Sequence, residues 1–245
     1  MSNKNFWLTL VGMAVCFAGG FLLANSLNRN EIATLQAQQR TAPTTPNQVT
    51  SPANSEPELS DAEIKQKIAE ADKDPNNVGF QKDLGIALYR YGIAKQNTAL
   101  IEEAVRLLKR ADEKSPKDFE TVVTIGNALF DIAAIRENKA GYKPARDYYQ
   151  RALEIRPDDP EVRADFGSTY FLGEPIDIEK AQMELKKALE INAANERALQ
   201  FLTQVYIKQG NRAEADKTFA KLKSVNPSNP MIKELTNQIA TGKVD

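Results

Sequence analysis

The side chains that usually carry chemistry are sparse in this chain. Its 245 residues include no histidine and a single cysteine, Cys16, which lies in an apolar leader. Histidine acid/base catalysis, a cysteine nucleophile and cysteine or histidine metal sites are therefore excluded from the part beyond that leader. Carboxylates remain, notably Asp158-Asp159, Glu102-Glu103 and Asp72 with Asp74. A catalytic pair needs two environments that push the two pKa values apart. These carboxylates fall at helix ends or on faces of mixed charge, so they read as solvated surface. Gly19-Gly20 sits inside the leader, and no glycine-rich phosphate loop precedes a helix elsewhere. Neither enzymatic activity, a cofactor nor a metal is expected. The 32 basic and 33 acidic side chains are mixed along the chain, for a net charge of -1. With no basic face, nucleic acid is not an expected partner.

The elements that would position any functional surface come from repetition. Residues 160–227 contain one helix-turn-helix unit written twice: Phe166-Gly167, Tyr170, Ala181, Leu185 and Ala188 line up with Leu202-Thr203, Tyr206, Ala215, Phe219 and Leu222. The same register recovers two units upstream. Gly85, Gly126, Gly167 and Thr203 step by 41, 41 and 36 residues, and Ala104, Ala145, Ala181 and Ala215 by 41, 36 and 34. Pro116, Pro157, Ala193 and Pro227 shift with them. The extra length of the first two units falls between the glycine and alanine markers, and seven residues is close to two turns of 3.6. One added helical turn on each helix of those pairs is expected; a longer loop is the alternative.

This pattern resembles the tetratricopeptide repeat, a unit of about 34 residues with L-G-x2-Y followed by A-x3-F and a proline. The resemblance implies an all-α fold, a solenoid built as a right-handed superhelix of helix-turn-helix repeats. A glycine in mid-helix costs roughly 1 kcal/mol in propensity, so its recurrence predicts close approach of the facing helix, with the recurring alanine as the surface it meets. Leu84, Ile125, Phe166 and Leu202, with Leu88, Leu129, Tyr170 and Tyr206, form the buried stripe of each first helix. A single unit cannot bury that stripe, whereas stacked neighbours can. The sequence departs from the family pattern in lacking its tryptophan, in Thr203 where a glycine is expected, in Leu222 where a small residue is expected, and in Ala193 where a proline is expected.

Around the repeats, the chain divides into a tail (1–5), an anchor (6–27), a polar stalk and linker (28–58) and a leading helix (59–77). Repeats follow at 78–118, 119–159, 160–195 and 196–229, then a capping helix at 230–245. Residues 6–27 carry no charge and reach about 33 Å as a helix, enough for a bilayer core of roughly 30 Å. An N-terminal transmembrane helix is expected, and the alternative is a cleaved secretion signal. Gly12, Cys16, Gly20 and Ala24 lie four apart, a face through which two anchors would pack as a homodimer; small residues are also common in any membrane helix. The linker at 41–58 carries Pro43, Pro46, Pro52 and Pro57 and spans about 25 Å as a flexible coil. Ser60 with Glu63 makes a capping box for the leading helix, whose apolar edge is Ile64 and Ile68. At the far end Asn229 would cap and Pro230 start a helix with Ile232, Leu235 and Ile239 inward and Lys233, Glu234, Asn237 and Gln238 outward.

The resemblance also implies a binding surface, since in this family the residue after the L-G-x2-Y tyrosine faces the concave groove. Here that position is Tyr89, Phe130, Phe171 and Ile207. Neighbouring groove positions carried over by the resemblance are Lys82, Ile86 and Arg90, then Val123, Asn127 and Asp131. Ala164, Ser168 and Leu172 follow in the third repeat, and Gln200, Gln204 and Lys208 in the fourth. An aromatic ladder flanked by amides and a few charges suits a peptide client; in the alternative, the inserted turns rotate these residues into the core, or the amino-terminal helix fills the groove. A subfamily clamp for chaperone-tail carboxylates is not expected, because Ile86 stands where it requires asparagine, although Lys82 and Asn127 match. The expectation is a scaffold tethered to a bacterial inner membrane with its repeats outside the cytoplasm. Its layout is similar to that of bacterial tetratricopeptide proteins of cytochrome c maturation and envelope assembly. The competing expectation is a self-associating structural subunit with no separate client.

Overall fold

The computed structural model describes residues 60–244. The expected anchor at 6–27, its small-residue face and the linker lie outside the described residues. Among those described, no helix is long and apolar enough to cross a membrane. The chain divides into two compact units, 1–74 and 75–245. In the first, the described element is α1 (Asp61–Lys73), opened by the expected capping box between Ser60 and Glu63.

The second unit is a succession of antiparallel helix pairs. They are α2 (Val78–Ala94) with α3 (Thr98–Lys114), α4 (Phe119–Ile135) with α5 (Tyr142–Ile155), α6 (Pro160–Leu172) with α7 (Ile178–Ile191), and α8 (Glu196–Lys208) with α9 (Arg212–Val225). A final helix, α10 (Ile232–Thr241), closes the series against α8 and α9. Local chemistry sets where the helices start. Asn77, Asn97, Asp118, Asp159, Asp177, Asn195 and Asn211 each accept, on the side chain, the backbone N–H three residues on. Each such cap contributes about 1 kcal/mol relative to alanine.

Pairs stack in chain order, each second helix against the next first helix. First helices also meet directly, α2 on α4 and α6 on α8. Ile101, Leu107, Leu108, Ile125, Leu185 and Leu222 are fully enclosed between layers. The layering buries stripes that no single pair could cover. The mid-helix glycines permit this spacing. A Cβ on Gly85 would lie 2.7 Å from Leu108 Cγ, and one on Gly167 would lie 2.9 Å from Leu185 Cγ. The main obstacle is thus the residue four positions after the recurring alanine, which corrects the expectation that the alanine itself is the surface met. Thr203 fills the fourth such position with its Oγ1 2.7 Å from the Leu199 carbonyl and 3.0 Å from Thr218 Oγ1, so its hydroxyl is satisfied although fully buried.

The added length in the first pair is helical on both sides: α2 and α3 have 17 residues each, against 13 and 14 in α6 and α7. In the second pair α4 keeps its added turn, but before α5 the added residues form a 3-10 turn at Lys139–Gly141. At the C-terminal end two expectations are corrected. Asn229 accepts from Met231 N–H, and the helix begins at Ile232 rather than Pro230. Gln238 turns inward, because its amide pairs with that of Gln204 on α8 at 3.2 Å.

Candidate functional site

The first helices α2, α4, α6 and α8 present the face on which a groove was expected. In the first two pairs its residues repeat every four positions: Lys82, Ile86 and Arg90 on α2, and Val123, Asn127 and Asp131 on α4. Arg90 is exposed and the other five are half-buried. Farther along, Lys208 is exposed, Gln200 and Leu172 are half-buried, and Ala164, Ser168 and Gln204 are buried. The accessible part of the face therefore lies mostly on α2 and α4. Lys82 is committed within the chain, with its Nζ 2.9 Å from both Asp118 Oδ1 and Glu120 Oε2. Burial pulls its pKa down, but those two carboxylates outweigh it and hold it up.

The aromatic ladder does not line an open surface. Tyr89, Phe130, Phe171 and Ile207 are only 3%, 5%, 7% and 6% exposed. Their positions are covered by neighbouring elements. Phe130 meets the edge of Tyr142 from α5, with ring centroids 5.0 Å apart, and lies 4.9 Å from the guanidinium of Arg197. Phe171 packs against Phe201 of the next pair at 6.0 Å. Such edge-on aromatic contacts favour a closed layer over exposed rings. The ladder is a floor beneath the face, not its contact surface.

Among and beside these rings lies a polar cluster drawn from all four pairs. The Tyr89 hydroxyl donates to Asp131 Oδ2 at 2.6 Å, joining α2 to α4. Arg197 on α8 reaches back to Asp165 on α6, with Nε 2.6 Å from Oδ1. The Tyr149 hydroxyl donates to Asn127 Oδ1 at 2.9 Å. Burial pushes Tyr89 and Tyr149 well above the ordinary phenol value and Tyr142 to about 12, so all three are neutral at physiological pH. Burial also raises Asp165, against the pull of Arg197. Asp165, Arg197, Tyr142 and Tyr149 escaped the sequence reading. Nothing in the local spacing marks them, because each takes its role from a partner on another helix, 12 to 32 residues away in sequence. Among the described residues no group of three or more histidine, cysteine, aspartate or glutamate side chains could hold a metal ion.

A tetratricopeptide-repeat family model matches residues 177–239. Among solved structures the chain is similar to MamA, at 26% identity and a TM-score of 0.53, over 68% of this chain and 88% of that one. It is also similar to YrrB, described as a tetratricopeptide-repeat protein with an unusual peptide-binding site, at 19% identity and a TM-score of 0.55, over 72% and 84%. A thermophilic tetratricopeptide-repeat protein of Thermus thermophilus matches at 20% identity and a TM-score of 0.50, over 74% and 89%. At their identities the last two show a shared fold. The matched model places tetratricopeptide-repeat sequence at residues 177–239, and the helix pairs upstream of it stack in the same way, so the chain has a tetratricopeptide-repeat-like solenoid fold.

Proposed function

We propose that the repeats are a protein-binding scaffold whose first-helix face takes a client polypeptide, and that residues 6–27 hold the scaffold at a bacterial inner membrane as a single-pass anchor. In this reading the repeats lie outside the cytoplasm and the client belongs to cytochrome c maturation or envelope assembly. The scaffold performs no catalysis. One observation supports the binding face above others: Ile86, Arg90, Val123, Asn127 and Asp131 stay accessible on two adjacent helices while the aromatic layer beneath them is closed. A rigid floor under accessible side chains lowers the ordering cost of binding. The test replaces Arg90 or Asn127, one at a time, by a photo-crosslinking residue in the native membrane, with exposed Asp147 on α5 as the control position. Adducts from positions 90 and 127 but not from 147 are expected. Equal labelling at all three sites, or none at 90 and 127, rejects the face.

A second reading, a self-associating structural subunit, draws on Ile176, Met183 and Ile191. These large apolar side chains stand exposed on and beside α7. It predicts an oligomer of the detergent-solubilised full chain that Met183→Lys disperses, as read by light scattering.

A further inference from the structure

Among the described residues, the carboxylate of Asp131 on the first-helix face makes no ion pair. Asp131 stands on α4, one turn beyond Asn127 and two beyond Val123. Its Oδ2 is held by the Tyr89 hydroxyl at 2.6 Å, so the neighbouring pair orients the carboxylate. Its Oδ1 accepts no hydrogen bond from any described residue, and the residue is half-buried. The titratable groups around it are Tyr89 on α2, Tyr142 and Tyr149 on α5, Asp165 on α6 and Arg197 on α8. Helix α3 offers Glu102, which pairs with Arg136 just past the end of α4. The tyrosines are neutral, Asp165 has the same sign, and Arg197 is engaged by Asp165 at 2.6 Å. Burial therefore falls on Asp131 with little compensation and raises it to about 6, against the Tyr89 hydrogen bond and the field of Arg197.

We infer that Asp131 is the seat for a lysine or arginine side chain of the polypeptide bound on this face, an inference that rests on the function proposed above. A cation placed there gains a charge-assisted hydrogen bond to Oδ1 in a site partly shielded from water, where such bonds are stronger than at an open surface. It supplies the charge that Arg197, already paired, does not. Asn127 receives the Tyr149 hydroxyl on its Oδ1 and keeps Nδ2 to donate to a client carbonyl. Half-buried Ile86 and Val123 offer apolar contact beside it. The occupant that fits is a segment with one basic residue next to an apolar one. A proton and the basic side chain compete for the same carboxylate, so binding of the cation weakens as pH falls through about 6.

The test uses the full chain in detergent on an array of immobilised twelve-residue peptides. Each sequence is present in three forms that differ only in whether one central residue is Lys, Gln or Glu. At pH 7.5 the wild type should retain Lys forms over Gln forms by about tenfold, and the preference should fade at pH 5. Asp131→Asn keeps an acceptor for Tyr89 and should abolish the preference; Asp131→Glu, which restores the charge, should recover part of it. Retention that ignores the central residue, or a Lys preference that survives Asp131→Asn, overturns the inference and leaves the face standing. No retention of any peptide overturns both.

Discussion

Arg197 Nε lies 2.6 Å from Asp165 Oδ1, and the same guanidinium sits 4.9 Å from the ring of Phe130, so one side chain of the fourth pair engages both the third and the second. The ion pair is mostly enclosed, with 35% of the Arg197 and 16% of the Asp165 side chain exposed. Removing either member leaves the other unpaired in a shielded site, which costs more than removing both.

Arg197→Leu should therefore destabilise the chain by about 2 kcal/mol in urea unfolding followed by circular dichroism. The double variant Arg197→Leu/Asp165→Leu should lose less than the single one. Strict additivity of the two substitutions would show that the pair is not coupled.

Asp131 makes a prediction of opposite sign. Its folded-state pKa is raised, from 3.8 to about 6, so the native state holds this proton more tightly than the unfolded chain. The stabilisation from proton binding is complete below about pH 4 and is lost as pH rises through 6. Asp131→Asn removes the ionisation penalty and should raise stability at pH 7.5 by on the order of 1 kcal/mol, with little effect near pH 4. Thermal unfolding at a series of pH values reads this directly, and a variant that follows the wild-type pH profile would refute it.

Gly85→Ala improves helix propensity by roughly 1 kcal/mol yet places a methyl group 2.7 Å from Leu108 Cγ and 3.3 Å from the Ala104 carbonyl. Overpacking of this kind costs about 1–3 kcal/mol, so a net loss in melting temperature is expected. Combined with Leu108→Ala, the cost should be less than the sum of the two single changes, because the cavity accepts the new methyl. A melting temperature unchanged or raised in Gly85→Ala would mean that the helices are farther apart than described.

Phe130→Ala and Phe171→Ala should act on stability rather than on client contact. Both rings are buried against neighbours, and truncating a buried phenylalanine costs about 3–5 kcal/mol. Lower unfolding midpoints are expected for both. Wild-type midpoints combined with lost client crosslinking would restore the open ladder that these contacts argue against.

The sequence by itself determined the helices and their order. Caps such as Asn77, Asp118 and Asp159 bond to backbone only three residues away, and the glycine and alanine markers recur in one chain register, so both signals are local. The added turns of α2 and α3 were legible for the same reason, since their length could be counted. Which residues remain on the surface was decided by the tertiary structure. Tyr89, Phe130 and Phe171 share one position in the repeat, and that position faces outward only if nothing from another pair covers it. Tyr142 and Arg197 cover Phe130, and Phe201 covers Phe171, from 12 to 67 residues away along the chain. Burial and pairing are properties of several helices at once. That is why the carboxylate of Asp131, an ordinary groove position in the sequence, is found with a hydroxyl fixed on one oxygen and, among the described residues, no ion pair.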